Sequence, residues 1–218
     1  MPAGPAELIA VRHGESTANA AFAAADAAGR LEAGITGRDA DVPLSPRGYA
    51  QAAALGPWIA ARMPDAVLCS PYRRAVQTAD AALAALDVPP PYRLDERLRD
   101  REPGVLELLT AAAVRVRYPA ELERRRRVGE LYYRPPGGES LADVALRVRG
   151  VLRDLAGDHP GERVLLVAHD AVVLMLRYVI DGLTEDELYR VGMVRNGSVA
   201  RWVRHDGVLR LAEYDVMP

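Results

Sequence analysis

The chain has 218 residues, half of them hydrophobic, and a formal net charge of −2. This length and apolar content suit one α/β domain with a continuous core, and the near-neutral balance gives no electrostatic case for a nucleic-acid partner. All 28 basic residues are arginine, as high-GC coding would produce, which excludes a Schiff-base lysine or a lysine phosphate clamp. The single cysteine, Cys69, precludes an intrachain disulfide and a cysteine-based zinc cluster. It ends the apolar run Ala66-Val67-Leu68-Cys69 and reads as a buried strand residue rather than a nucleophile. The start, Met1-Pro2-Ala3-Gly4-Pro5, does not resemble a signal peptide, and no apolar stretch reaches the roughly 20 residues of a membrane span. The expected location is the cytoplasm, with no membrane partner.

In chain order, Leu8-Ile9-Ala10-Val11 reads as a short buried strand ending at Arg12-His13-Gly14, followed by an alanine-rich helix over 17–28. A polar loop runs through Ile35-Thr36-Gly37-Arg38 to Ser45-Pro46, an N-cap with proline at the first helical position, which opens a helix to about residue 62. Val67-Leu68-Cys69 predicts a second strand, and Ser70-Pro71 repeats the cap-plus-proline device ahead of a helix to about residue 86. A third strand is expected at Tyr92-Arg93-Leu94. Residues 95–136 are rich in charge and arginine, with weakly apolar helices near 109–118 and 119–127, and read as a helical insertion lying over the sheet. Gly138-Glu139-Ser140 introduces a long amphipathic helix to about Leu155. The strongest strand, 163–168, stops at His169-Asp170 and passes directly into a helix to about Ile180. Two further strands, 199–204 and 208–212, meet at an Asp206-Gly207 hairpin turn. Strands alternating with helices predict a three-layer sandwich: a mainly parallel central sheet with helices on both faces.

Two strands end in histidine, one at His13 and one at His169. As parallel members of one sheet they would project both rings from its carboxyl edge, where open α/β sheets bind ligands. His159 and His205 sit beside turns and read as ordinary surface residues. Arg12 precedes the first histidine, and Arg73 and Arg74 fall in the first turn of the helix after Ser70-Pro71, where free backbone N–H groups already favour an anion. Guanidinium forks match phosphate oxygens. Arginines beside two histidines indicate a dianionic phosphoryl group.

The run Leu8-Ile9-Ala10-Val11-Arg12-His13-Gly14-Glu15-Ser16-Thr17-Ala18-Asn19 resembles the first motif of the histidine phosphatase superfamily, which includes the cofactor-dependent phosphoglycerate mutases. Ser70-Pro71-Tyr72-Arg73-Arg74-Ala75-Val76-Gln77-Thr78-Ala79 is similar to its second motif, and the strand over 164–168 with His169 to its third. The likeness spans nearly the whole chain in the same order. Within the superfamily, Leu98-Arg99-Asp100-Arg101-Glu102-Pro103-Gly104-Val105, Tyr118-Pro119, Tyr133-Arg134-Pro135-Pro136, Gly138-Glu139-Ser140 and His169-Asp170-Ala171-Val172 follow the spacing of the fructose-2,6-bisphosphatase branch. Two of that branch's substrate-binding positions differ: Ala111 stands for a tyrosine and Glu130 for a lysine, with only Arg126 kept nearby. A glutamate in place of a phosphate-binding lysine argues against a sugar bisphosphate.

The resemblance implies one domain over 1–218 and a metal-independent, cofactor-free phosphomonoester hydrolase acting on a small phosphorylated metabolite. It makes His13 the nucleophile, with Arg12, Arg74 and His169 around the phosphoryl oxygens. Asn19, Thr36, Gly37 and Arg126 become substrate-binding candidates. The acid that protonates the leaving oxygen stays open. The family's acidic position falls on Asp100, shorter by a methylene than the usual glutamate; Glu102 is out of register; and Asp170 is a rival, because related acid phosphatases use the aspartate of His-Asp. A phosphoglycerate mutase-type isomerase and a catalytically inactive binding module on the same fold also stay open, although the missing tyrosine and lysines favour hydrolysis. A homodimer is one open arrangement. Asn196-Gly197-Ser198 fits a glycosylation acceptor but is expected to form a turn, and Glu123-Arg124-Arg125-Arg126-Arg127 an exposed helix face.

Overall fold

The computed structural model describes residues 4–218. Four parallel strands, β1 (Glu7–Arg12), β2 (Ala66–Cys69), β3 (Tyr92–Leu94) and β4 (Arg163–Ala168), form most of a six-stranded sheet. The antiparallel pair β5 (Val199–His205) and β6 (Val208–Val216) completes it, in the order β3-β2-β4-β1-β5-β6. Strands covered on both faces read as unbroken apolar runs, and 8–11 and 164–168 are of that kind. Their alternate side chains feed two cores. Leu8, Ala10, Leu166 and Ala168 join residues of α6 (Leu141–Asp158) and α7 (Asp170–Ile180) on one face. Ile9, Val11, Leu165, Val167 and Cys69 join residues of α2 (Pro46–Ala60) and α3 (Arg73–Leu83) on the other. The three-layer expectation holds, with a mixed sheet. Burial pushes the Cys69 thiol up to about 12, which suits its place in the core.

Local chemistry sets most boundaries as read. Ser45 accepts from the Gly48 N–H at 3.0 Å with Pro46 inside the first turn, and Asp206-Gly207 turns the last hairpin with φ of 51° and 79°. Ser70 departs from the expectation. α3 begins three residues later, at Arg73, behind Tyr72, which lends it no side-chain cap, and the Ser70 hydroxyl lies 2.8 Å from His169 Nε2. Helix α8 (Glu185–Val191) was not anticipated, although Thr184 and Glu187 form a capping box legible as Thr-x-x-Glu. Segment 95–136 carries both expected helices, α4 (Ala111–Arg117) and α5 (Pro119–Val128), behind two short 3-10 turns. With α1 (Thr17–Ala27) there are eight α-helices among the described residues, and none is long and apolar enough to cross a membrane.

The register of β1 on β4 pairs Arg12 with Ala168, so the next residue of each strand is a histidine at the same level of the carboxyl edge. The His13 N–H donates to the Ala168 carbonyl at 3.0 Å and locks that level. Past His13 the chain turns over the start of α2, backbone on backbone. A Cβ on Gly14 would lie 2.3 Å from the Gly48 carbonyl oxygen, and one on Gly48 would lie 2.0 Å from that of Glu15. Neither atom is the movable end of a side chain. Gly14→Ala is therefore expected to cost at least about 2 kcal/mol of stability, as overpacking does, measured as a lower midpoint in urea unfolding.

Candidate active site

His13 is buried, and its Nδ1 lies 2.7 Å from the Gly14 carbonyl, an acceptor, so Nδ1 carries the proton and Nε2 the lone pair. Arg74 Nε donates to that Nε2 at 3.1 Å. Burial first, then the neighbouring His169, Arg74 and Arg12, hold the His13 pKa well below 6.5, which keeps the ring neutral. His169 is also fully buried, its ring centroid 5.0 Å from that of His13 at 63°. Burial lowers its pKa too. The Ser70 hydroxyl, already accepting from the Tyr72 N–H at 3.3 Å, can give its proton to His169 Nε2, leaving Nδ1 as the ring's donor.

Arg74 is the electrostatic hub. Only 4% exposed, it reaches out of the first turn of α3 and contacts two carboxylates. Its guanidinium donates to Asp39 Oδ2 and Asp100 Oδ2 at 2.9 Å each, and to the Asp39 carbonyl at 2.7 Å. Asp100 Oδ2 is also 3.2 Å from His169 Nδ1, but out of line for a hydrogen bond, so that nitrogen is buried without a protein partner. Burial alone would raise the Asp100 pKa; His169 and the permanent charge of Arg74 outweigh it and hold the carboxyl far below the usual range. Asp170 behaves oppositely. Burial raises its pKa, Arg12 opposes at 3.0 Å, and Asp100 adds to the rise. Arg12 Nε is the second buried nitrogen with no protein partner.

Arg12, His13, Asp39, Arg74, Asp100 and Asp170 line one cavity of about 260 Å³, together with Ser16, Asn19, Arg101 and apolar residues of the 103–109 loop, with His169 fully buried behind His13 and Asp100. The structure thus brings together His13, Arg12, Arg74, His169, Asp100 and Asp170, and sets Asn19 at their edge. Asn19 Oδ1 accepts from the Ser16 N–H, the Ser16 hydroxyl and Asn196 Nδ2, which leaves its own amide donors available. Thr36 and Gly37 lie on an exposed loop and line no part of the cavity. Arg126 is exposed on α5 beside Glu123 and belongs to a different surface hollow, with Glu130 and Tyr189. Arg73 faces solvent, as the first residue of α3 with its neighbour Arg74 turned inward. Glu102 accepts from the Tyr72 hydroxyl at 2.7 Å instead of lining the cavity.

Several supporting residues escaped the sequence. The turn Asn196-Gly197-Ser198 braces the strand end: the Gly197 N–H reaches the Arg12 and His13 carbonyls at 3.1 Å, and Asn196 Nδ2 reaches His13 O at 3.2 Å. The loop carrying Asp100 belongs to no strand and is held by Arg147 of α6. Arg147 donates to the carbonyls of Arg97, Arg99 and Asp100 at 2.6–3.0 Å and forms a two-pronged pair with Glu139 at 2.8 and 3.0 Å. Glu139 also takes Arg99 at 2.6 Å and the Glu102 N–H at 3.2 Å. The available signal was an arginine set between Val144 and Val148 on the buried stripe of α6. Arg147→Ala would strand Glu139 and release three carbonyls. Breaking such a buried pair costs about 3 kcal/mol, and amide exchange should accelerate at 99–102 while β1 and β4 stay protected.

Residues 8–216 match the sequence profile of the histidine phosphatase superfamily (branch 1). The 2,3-bisphosphoglycerate-dependent phosphoglycerate mutase 2 of Gloeobacter violaceus is 35% identical over 188 residues, which cover 84% of this chain and 80% of that one. The human 6-phosphofructo-2-kinase/fructose-2,6-bisphosphatase 3 is 31% identical over 188 residues; they cover 85% of this chain but 32% of that much longer protein. Among solved structures, the mycobacterial glucosyl-3-phosphoglycerate phosphatase superposes with a TM-score of 0.77 at 25% identity, covering 97% of this chain and 99% of that one. With the profile matched almost end to end and the two strand-end histidines meeting over Arg74, the chain belongs to the histidine phosphatase superfamily.

Proposed function

We propose that this chain is a phosphomonoester hydrolase that works through a phosphohistidine on His13, without a metal ion. One observation carries the reading: a buried, neutral imidazole with its lone pair on Nε2 stands 3.1 Å from Arg74 and beside a second buried histidine. Nε2 attacks phosphorus as the ester oxygen leaves, and water then takes the phosphoryl group from the imidazole. Arg12, Arg74 and His169 Nδ1 stabilise the charge on the equatorial oxygens, and the unpartnered Arg12 Nε and His169 Nδ1 are the donors such a group would satisfy. Ligand atoms of His13, Asp100 and His169 lie within 4.8 Å of one another, a spacing a cation could also use. The Arg74 guanidinium already supplies positive charge there and would repel one.

Asp100 is the acid that this reading prefers. Ionised in the free protein, it shares Arg74 with Asp39. A dianionic phosphoryl group settling on Arg74 puts negative charge beside Asp100 and raises its pKa, so proton and substrate arrive together. Asp170, whose pKa burial already raises, is the second candidate.

The direct test is rapid-quench labelling with a ³²P-phosphoester. An alkali-stable phosphoprotein should form, vanish in His13→Ala, and decay with release of inorganic phosphate. Isomerisation of 3-phosphoglycerate without phosphate release would instead make the protein a mutase. The pH profile has a defined shape. Because His13 stays neutral to well below pH 6.5, the acid limb of kcat/KM lies under that value, while kcat, which reports the substrate complex, falls on the alkaline side as the acid loses its proton. Asp100→Asn should lower kcat at least about tenfold and flatten the alkaline limb. Persistence of both rate and limb would transfer the role to Asp170.

A further inference from the structure

Resting on the phosphatase reading above, we infer that the alcohol half of the substrate is apolar: the site favours phosphomonoesters of arylalkyl or alkyl alcohols over sugar phosphates and over esters with a second anionic group. The cavity has two unlike halves. Its charged lining, the floor, is His13, Arg12, Arg74, Asp39, Asp100 and Asp170, with Ser16, Asn19 and Arg101 beside it; its apolar lining, the mouth, is Phe22, Pro103, Leu106, Leu108 and Leu109. All five mouth residues are half-buried, so they show apolar surface to the cavity rather than hiding it in either core. Apolar walls above a few convergent polar groups are the usual form of a small-molecule site.

The mouth is held in place at a local cost. Leu108 sits at φ +56°, a left-handed conformation that a bulky side chain rarely adopts. Bonds on both sides maintain it: Leu109 N–H to the Leu106 carbonyl at 3.2 Å, the Thr110 hydroxyl to the Leu31 carbonyl at 2.6 Å, and the Asp39 N–H to Glu107 Oε1 at 2.9 Å. These last two contacts tie the 103–110 loop to the 31–39 loop, so the walls of the mouth brace each other.

Among the described residues, the same space holds no free cation for a second anionic group. Apart from Arg12 and Arg74, the lining cation is Arg101, whose guanidinium is spent on the Glu139 and Tyr133 carbonyls at 2.8 and 3.0 Å and on Glu130 at 3.4 Å. A carboxylate or second phosphate in the cavity would face Asp39 with no free cation to answer it. Sugar hydroxyls could meet Ser16, Asn19 or Asp39, but those facing the apolar lining would trade water for leucine and phenylalanine and be left unpaired.

The test compares kcat/KM for 2-phenylethyl phosphate with that for glucose 6-phosphate and 3-phosphoglycerate, all esters of ordinary alkanols. In parallel, calorimetry compares 2-phenylethylphosphonate with methylphosphonate on the wild-type protein. The expected result is at least about a tenfold preference for the phenylethyl compound in both assays, the scale of burying an aromatic ring, narrowed in Phe22→Ala and in Leu109→Ala. Equal or better turnover of either hydrophilic ester overturns the inference, as does turnover of esters with no phosphonate preference. Selective phosphonate binding with no ester hydrolysed sinks the hydrolase reading and leaves the apolar site standing; neither turnover nor selectivity sinks both.

Discussion

The parallel pairing of β1 with β4, in the register that sets Arg12 against Ala168, is the constraint on which the rest of the molecule depends. It delivers two imidazoles from distant parts of the chain to adjacent points on one sheet edge. Side chains alternate across a sheet, so a slip of one residue would turn one ring to the opposite face and separate the pair. The register is pinned at both ends, by the Ala6 N–H on the Glu162 carbonyl at 2.8 Å and the His13 N–H on Ala168 at 3.0 Å. β2 obeys the same geometry on the other side of β4, which is why Ser70 arrives beside His169.

Charge completes what the register begins. One guanidinium, Arg74, helps to keep His13 neutral and Asp100 ionised, because a permanent positive charge disfavours protonation of both. With Asp39 also drawn to it, the free site is poised near electrical balance. On the proposed mechanism, an entering phosphoryl group would compete with the carboxylates for the same donors. The free-state pairing of Asp100 with Arg74 is therefore not at odds with an acid role, since the substrate itself changes the field that sets its protonation.

Floor and mouth are built by different means. The floor, apart from Asp100, hangs on strand ends and on the helices and loop beside them, with Arg74 in the first turn of α3. The mouth and the Asp100 loop hang on side-chain bonds, chiefly those of Arg147, Glu139 and Thr110. Chemistry placed on the sheet and selectivity placed on loops can vary independently, because loops tolerate substitution that strand registers do not.

Much of this was legible beforehand for local reasons. Apolar runs marked β1 and β4, Ser45-Pro46 marked a helix start, Asp206-Gly207 marked a hairpin, and histidine at two strand ends marked the floor. Ser70 misled because serine before proline signals a cap, whereas its hydroxyl was claimed by a histidine from another strand. Arg73 and Arg74 are neighbours of one type, and only packing sends one to solvent and the other into the site. Thr36, Gly37 and Arg126 were placed by likeness of position, and loop paths carry them elsewhere. By itself, the order of residues determined the sheet edge and the side chains offered there, because backbone periodicity is a local property. The tertiary structure alone decided which carboxylates Arg74 holds, what props the Asp100 loop, and that leucine and phenylalanine rim the cavity, because those contacts join segments that approach only when both cores have formed.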